Sequence, residues 1–194
     1  MKKNIFIILS LISFISCAVI KREKESSVRF KEIKEIAISE LPEFLNKIPS
    51  GAEQLYGFSS RDEINKVSVG EAFVFFVIDD ENIKKTDTYR LPVILENDYK
   101  ALITVESANG AYHIVDFGAN ILANEIQLVH DANIEKEFEG ILRIFNLNCD
   151  FVVMSEKNDF FYFPLTSAKM YLSRKGIEPA NFYKQDQIIN LIKQ

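Results

Sequence analysis

A dense succession of apolar runs between residues 71 and 116 constrains the fold of this chain more than any other feature. The first run, residues 72–78, is continuous, of strand length and rich in aromatic and β-branched residues, which is typical of a strand buried on both faces. Three further runs follow, at 89–95, 101–105 and 111–115. Asn109-Gly110 precedes the last run and predicts a two-residue hairpin turn, because both residues tolerate a positive φ. The segment therefore predicts an antiparallel meander of three or four strands.

Patterns on either side of the meander predict an α+β domain. Apolar residues at helical spacing indicate a helix over residues 30–48, which Pro42 should kink or split. Ser60 and Glu63 have capping-box spacing and predict a short helix before Gly70. The later patterns predict a helix at 120–129, strands at 140–145, 151–154 and 160–163, and helices at 166–174 and 186–192. The order, roughly αα-ββββ-α-βββ-αα, is typical of domains in which helices cover one face of an antiparallel sheet.

The composition suits one globular domain and argues against nucleic acid as a partner. Of the 194 residues, 47% are hydrophobic and sixteen are Phe, which is ample for a core. The formal net charge is −5 and no basic stripe is visible, which argues against binding to nucleic acid and against electrostatic adhesion to anionic lipid. Cys17 and Cys149 are the only cysteines, too few for a disulfide framework or a Cys-rich zinc site.

Residues 1–16 have the architecture of a secretory signal peptide. A short cationic start precedes residues 5–15, an eleven-residue stretch that is apolar except for two serines and too short to span a bilayer. The stretch Phe14-Ile15-Ser16-Cys17 resembles the lipobox of bacterial lipoproteins, although Phe14 stands where that family usually has Leu. The resemblance covers only the leader and implies that Cys17 becomes diacylated. The alternative is an ordinary cleaved signal with a chance cysteine, and either reading predicts export.

Residues 17–28 are predicted to carry the lipid and to connect it to the domain. Residues 21–27 have mixed charge and no apolar side chain, which is typical of a flexible tether. Residues 29–194 then form the single α+β domain. Ala18 follows the cysteine, whereas by resemblance to the lipoprotein sorting rule an Asp there would imply retention in the inner membrane. The resemblance therefore favours the outer membrane, if the source has one.

Cys149 is the one candidate nucleophile, with His113 or His130 as its base. No nucleophile motif surrounds it, and the adjacent Asp150 should make the thiol harder to ionise. The histidines lack metal-ligand spacing, and His130 is expected at a helix C-terminus, where a cation is favoured. The sequence therefore predicts a partly buried structural thiol and a protein that is not an enzyme and needs no metal or cofactor.

Two acidic clusters are interpreted as solvated surface. Calcium prefers oxygen ligands, but the glycine and the closing glutamate of an EF-hand loop are missing from the first cluster, which we therefore predict to be a hairpin loop whose charges discourage edge pairing. The first cluster is Asp79, Asp80, Glu81, Asn82 and Asp87, and the second is Glu135, Glu137 and Glu139. Serine-hydrolase, phosphate-loop, dinucleotide and paired-carboxylate motifs are absent from the sequence.

Aromatic strand residues are the candidate binding surface. If helices cover only one face of the sheet, rings on the other face would form an exposed patch, and such patches mark binding sites. The residues predicted to contribute are Phe73, Phe75, Tyr112, Phe161 and Phe163. The alternative is a sheet with helices on both faces and two buried cores.

Three functions are compatible with these patterns. The first, which we predict, is a membrane-anchored envelope lipoprotein with a non-catalytic domain that binds a peptide, a polysaccharide or a partner protein. The second is an inhibitor-like or prosegment-like module acting on a secreted peptidase, since a helix followed by a twisted meander is loosely similar to cystatin-like and peptidase-propeptide domains. That similarity is architectural and has no motif behind it. The third is an enzyme using Cys149 or an acid that the sequence does not single out.

Overall fold

A computed structural model describes residues 27–157 and 159–193. The predicted signal peptide, Cys17 and the tether as far as residue 26 lie outside the described residues, as does Asn158 in the last predicted hairpin turn. Residues 27 and 28, which we assigned to the tether, already belong to the first helix.

Five helices and eight strands occur in the described part of the chain. The helices are α1 (27–46), α2 (Arg61–Ile64), α3 (Asn120–Asp131), α4 (Thr166–Arg174) and α5 (Gln185–Ile192). The strands are β1 (Ser68–Val69), β2 (Phe73–Asp79), β3 (Asn82–Leu95), β4 (Asp98–Ala108), β5 (Ala111–Gly118), β6 (Glu137–Ile144), β7 (Cys149–Glu156) and β8 (Asp159–Pro164). The α+β class and the order of the predicted elements are confirmed, and the two-residue β1 is an addition.

The strands form one sheet in the order β5-β4-β3-β2-β6-β7-β8, with β1 paired to β3. All pairs are antiparallel except β2 with β6, which run parallel from Val74 opposite Gly140 to Val77 opposite Arg143. The prediction of a wholly antiparallel sheet is therefore wrong at this one junction. The chain leaves the β5 edge through α3 and returns beside β2, and a helical crossover of this kind is what parallel neighbours require.

Helices cover both faces of the sheet, so the predicted one-sided cover is wrong and the alternative with two cores is confirmed. On one face, side chains of α1, α4 and α5 pack with Val74 and Phe76 of β2. On the other face, Ala123 and Ile126 of α3 pack with Phe73 and other sheet residues. Because successive side chains of a strand point to opposite faces, both sets of β2 side chains are buried, as the continuous apolar run predicted.

Helix α1 runs through Pro42 without the predicted split. Proline lacks the N–H that would bond the carbonyl of Ile38. Ile38 is 53% exposed and Pro42 is exposed as well, so water can satisfy that carbonyl. The opposite side of α1 buries Ile33 and Ala37 completely, and this packing holds the helix together across the proline.

The hairpin turn between β2 and β3 is shorter than the sequence suggested. Asp80 and Glu81 both have positive φ, and they alone connect β2 to β3. Asp87 therefore lies within β3 as an exposed strand residue, not in a loop as predicted, because a two-residue turn with positive φ at both positions already closes the hairpin. The turn at Asn109-Gly110 is confirmed, with φ of 54° and 82°.

The predicted capping box at α2 forms differently. Ser60 is the N-cap residue, but its side chain makes no capping hydrogen bond. The carboxylate of Glu63 accepts a hydrogen bond from the backbone N–H of Ser59 at 2.6 Å instead. Glu63 therefore bonds the backbone N–H of the residue before the N-cap, and not the N–H of Ser60 itself as a capping box would require.

Candidate functional site

The five aromatic residues of the predicted binding surface do not form one exposed patch. Phe73, Phe75 and Phe163 are 4%, 7% and 9% exposed and lie in the core beneath α3. Phe161 is partly buried against the same core, whereas Tyr112 packs against the core on the opposite face of the sheet. This burial follows from the helical cover on both faces.

Cys149 is a buried thiol at the first position of β7. It is 1% exposed, and its Sγ donates a weak hydrogen bond to the carbonyl oxygen of Leu147 at 3.5 Å. Burial, and to a smaller extent the charge of Asp150, raises the pKa of the Cys149 thiol to about 11. The prediction that the Cys149 thiol is harder to ionise than an ordinary cysteine is confirmed. A thiol that stays protonated is a poor nucleophile at neutral pH.

Each histidine lies beside a carboxylate and not beside the thiol. His113 Nδ1 is 3.3 Å from Oε1 of Glu40, and the other oxygen of Glu40 accepts the backbone N–H of Ile114 at 2.9 Å. Because β5 is an outer strand, Glu40 caps an edge amide that would otherwise be free. His130, in the last turn of α3 as predicted, has Nδ1 3.4 Å from Oδ1 of Asp131. In the described ranges, no three His, Cys, Asp or Glu side chains are grouped to hold a metal ion.

A cleft of about 470 Å³ is lined by residues of α1, β2, β3 and β6. Both of its cations have a carboxylate partner inside the cleft. Lys85 Nζ is 3.5 Å from Oε2 of Glu139, and Arg29 Nη1 is 3.9 Å from Oδ1 of Asp87. Glu137 also lines the cleft, is exposed and has no ion-pair partner among the described residues, so the cleft has three carboxylates and two cations. None of the buried side-chain atoms that lack a partner among the described residues lies in this cleft.

Arg90 on β3 is different, because it has a buried guanidinium without a partner. Its Nε and Nη1 atoms are buried and form no hydrogen bond with the described residues. The Cζ atom lies 5.1 Å from the centre of the Phe75 ring, so that the ring covers one face of the guanidinium by a cation–π contact. Burial lowers the pKa of Arg90, although the charges of Asp150 and Asp116 act in the opposite direction.

Arg143 on β6 brings a second guanidinium to the same region. Its charge adds to the lowering of the pKa of Arg90. Nη1 of Arg143 lies 3.4 Å from Oδ1 of Asp150, and Cζ lies 5.5 Å from the centre of the Phe145 ring. The other oxygen of Asp150 accepts a hydrogen bond from Oγ of Ser167 at 3.1 Å. Both carboxylate oxygens are thus engaged, and neither bonds to Arg90.

Neither arginine is among the site residues predicted from the sequence, although the sequence contains a signal for both. Arg90 and Arg143 are the only Asp, Glu, Lys or Arg residues within the predicted strand runs. A charged residue inside an apolar strand is rarely buried unless it is paired. Their proximity depends on the parallel junction between β2 and β6, which local patterns do not reveal.

The comparisons with known proteins leave the site to be argued from its own geometry. No protein-family model, curated protein or solved structure matches the chain. Among the described residues, no helix is both long enough and apolar enough to cross a membrane. The arginine pair is consequently the candidate site on structural grounds alone.

Proposed function

We propose that this chain is an exported lipoprotein of the cell envelope whose α+β domain is a non-catalytic binding module. The observation that carries the anchor is the order of the sequence features. An apolar stretch and the small residue Ser16 precede Cys17, a polar tether follows, and the folded domain begins with α1. This is the arrangement that a lipid-anchored domain needs in order to stand off a bilayer.

The physical requirements of such an anchor fit the composition of the chain. Each buried CH₂ of an acyl chain contributes about 0.8 kcal/mol, and two chains on one cysteine hold a protein stably where a single chain does not. The domain carries net negative charge, so electrostatic attraction to anionic lipid would not help. The proposed diacylation of Cys17 therefore has to supply the membrane affinity, and Ala18 favours the outer membrane where one exists.

Two features of the described residues support binding over thiol catalysis. The thiol of Cys149 is buried with a raised pKa, and the two histidines lie beside Glu40 and Asp131. The guanidinium of Arg90 has unmet hydrogen-bonding capacity, which suits recognition of a ligand. The looser similarity to cystatin-like and propeptide domains stays a prediction within the α+β class.

Metabolic labelling with an alkyne analogue of palmitate tests the anchor. We expect the wild-type chain and Cys149→Ser to incorporate the label and Cys17→Ser to lose it, since only Cys17 lies in the lipobox-like stretch. The Cys149→Ser variant controls for general loss of a thiol. A wild-type chain that takes up no label, or equal labelling of Cys17→Ser, would contradict the proposal and would favour a secreted inhibitor-like module.

A further inference from the structure

We propose that Arg90 anchors a binding site for a small oxyanion, a carboxylate or a phosphate group, on the α3 face of the sheet. The inference rests on the proposed binding role and gives it a ligand class. It depends only on contacts among the described residues, so the anchor at Cys17 is tested separately.

The first step is that Arg90 carries donors with no acceptor. The N–H groups of Nε and Nη1 are shielded from solvent and make no hydrogen bond with the described residues. A guanidinium stays charged in proteins and has no acceptor of its own. A buried charged donor that is left unpaired is strongly unfavourable. The site therefore has an unmet need for an anionic acceptor.

The second step is that the aromatic contacts leave the donor edges free. Phe75 stacks on the guanidinium of Arg90, and Phe145 stacks on that of Arg143. The two rings are themselves in edge contact, with centroids 6.2 Å apart. Stacking covers the faces of a guanidinium, whereas carboxylate and phosphate oxygens bind in its plane. The rings thus hold the arginines in place without consuming their N–H groups.

The third step is that no carboxylate among the described residues accepts a hydrogen bond from the guanidinium of Arg90. Asp150 is held by Arg143 and Ser167. Asp116 lies on β5, two strands away from Arg90, with Thr104 of β4 between them in the register. Asp116 is exposed and forms no hydrogen bond with Arg90. The missing acceptor has to come from outside the domain.

The surroundings of Arg90 also provide access and a further polar group. The residue as a whole is only partly buried, and Nη2 is not among its buried, unbonded atoms, so part of the side chain is in contact with solvent. Thr104, which faces Arg90 across the β3–β4 pair, is 7% exposed and brings a hydroxyl to the same face. A hydroxyl beside a guanidinium is a common combination for a carboxylate or phosphate.

The test is a pair of measurements on the protein purified in the form in which it occurs in the cell. Calorimetric titration and urea unfolding are carried out in sodium phosphate, sodium acetate and sodium chloride at matched ionic strength. An anion at ten times its dissociation constant should raise the folding equilibrium constant about 11-fold. We expect phosphate or acetate to raise the urea midpoint, and chloride to leave it unchanged. The stronger of the two responses identifies the phosphoryl or the carboxylate group as the ligand chemistry.

Arginine variants separate the site from general surface charge. Arg90→Met should abolish the response while leaving stability in chloride equal or higher, because an unpaired buried charge is removed. Arg174→Met is the matched control, since Arg174 is exposed at the end of α4, and it should respond like the wild type. If Arg90→Met does not fold, Arg90→Lys carries the test, because it keeps the charge and loses the planar fork and should bind more weakly.

Two results would overturn the inference. One is an unchanged wild-type midpoint in phosphate and acetate, which would mean that water or nothing fills the site. The other is an equal gain in the wild type and both Arg90 variants, which would place any anion elsewhere on the surface. Either result leaves the palmitate labelling of Cys17 untouched, so failure of the site and failure of the anchor can be told apart.

Discussion

Replacement of Gly140 by Ala is the sharpest test of the parallel junction between β2 and β6. Gly140 has φ of +149°, and a Cβ atom built there would lie 1.9 Å from the carbonyl oxygen of Val74. Real Cβ atoms essentially never approach closer than 3.0 Å. The obstacle is backbone, so the two strands would have to move apart by about 1 Å and would strain the register from Val74–Gly140 to Val77–Arg143.

The expected cost has three parts, and a second variant can separate the backbone part from the other two. A side chain at this φ costs about 1–3 kcal/mol. Overlap in a packed region adds about 1–3 kcal/mol, and each ladder hydrogen bond lost adds about 1 kcal/mol. Gly118 has a similar φ of +145° but nothing within 4 Å of its built Cβ. Gly118→Ala should therefore have only the backbone cost, whereas Gly140→Ala, with one ladder hydrogen bond lost, should cost about 3–7 kcal/mol.

Urea unfolding followed by tyrosine fluorescence measures the difference between the two variants. Since small domains are stable by about 5–15 kcal/mol, we expect Gly140→Ala to lose a large share of the stability of the wild type and Gly118→Ala to retain more of it. Free energies of unfolding for the two variants within about 1 kcal/mol of each other, a margin smaller than the overlap and hydrogen-bond terms together, would refute the close approach of β6 to Val74.

Three further predictions concern the buried thiol, the two groups with raised pKa values and the backbone amide of β5 that Glu40 bonds. Iodoacetamide should label Cys149 of the native protein at pH 8 only as fast as the chain unfolds; labelling as rapid as in urea would contradict the burial of the thiol. Burial raises the pKa of Cys149 from 9.0 to about 11 and the pKa of Tyr162 from 10.0 to about 12. The stability linked to the protonated thiol is fully present below about pH 9 and is lost as the pH rises through 11, and the stability linked to Tyr162 is fully present below about pH 10 and is lost as the pH rises through 12. Between pH 8 and 12, the free energy of unfolding measured in urea should therefore fall by about 2–3 kcal/mol less for Cys149→Ala than for the wild type. Parallel pH profiles of the two proteins would exclude the thiol as a cause. Glu40→Ala should lower stability by about 1 kcal/mol and speed amide exchange at Ile114, whereas Glu43→Ala, which loses an exposed pair with Lys47, should leave that amide protected; unchanged exchange in Glu40→Ala would disprove the edge cap.

Much of the fold was predictable because local chemistry determines it. The apolar run at 72–78 predicted a strand with both faces buried, and the structure buries Phe73 on one face and Val74 on the other. Asn109-Gly110 predicted its turn because it supplies two residues of positive φ. The predicted helix at 166–174 has the same bounds as α4. In each case the signal lies within a few residues of the element.

The candidate site was not predictable for the opposite reason. Arg90 and Arg143 become neighbours only because β2 lies between their strands, with antiparallel pairing on one side and parallel pairing on the other. That pairing joins segments far apart in the sequence, and no local pattern specifies it. The aromatic surface was predicted from the expectation of a one-sided helical cover, and α3 on the second face buries most of those rings.

The intact mass of the native protein, measured separately from membrane and soluble fractions of its source, is the most direct test of the proposed anchored binding module. We predict a membrane-bound species that has lost residues 1–16 and carries a diacylglyceryl group on Cys17. A soluble chain that is cleaved but unmodified at Cys17 would contradict the lipoprotein proposal.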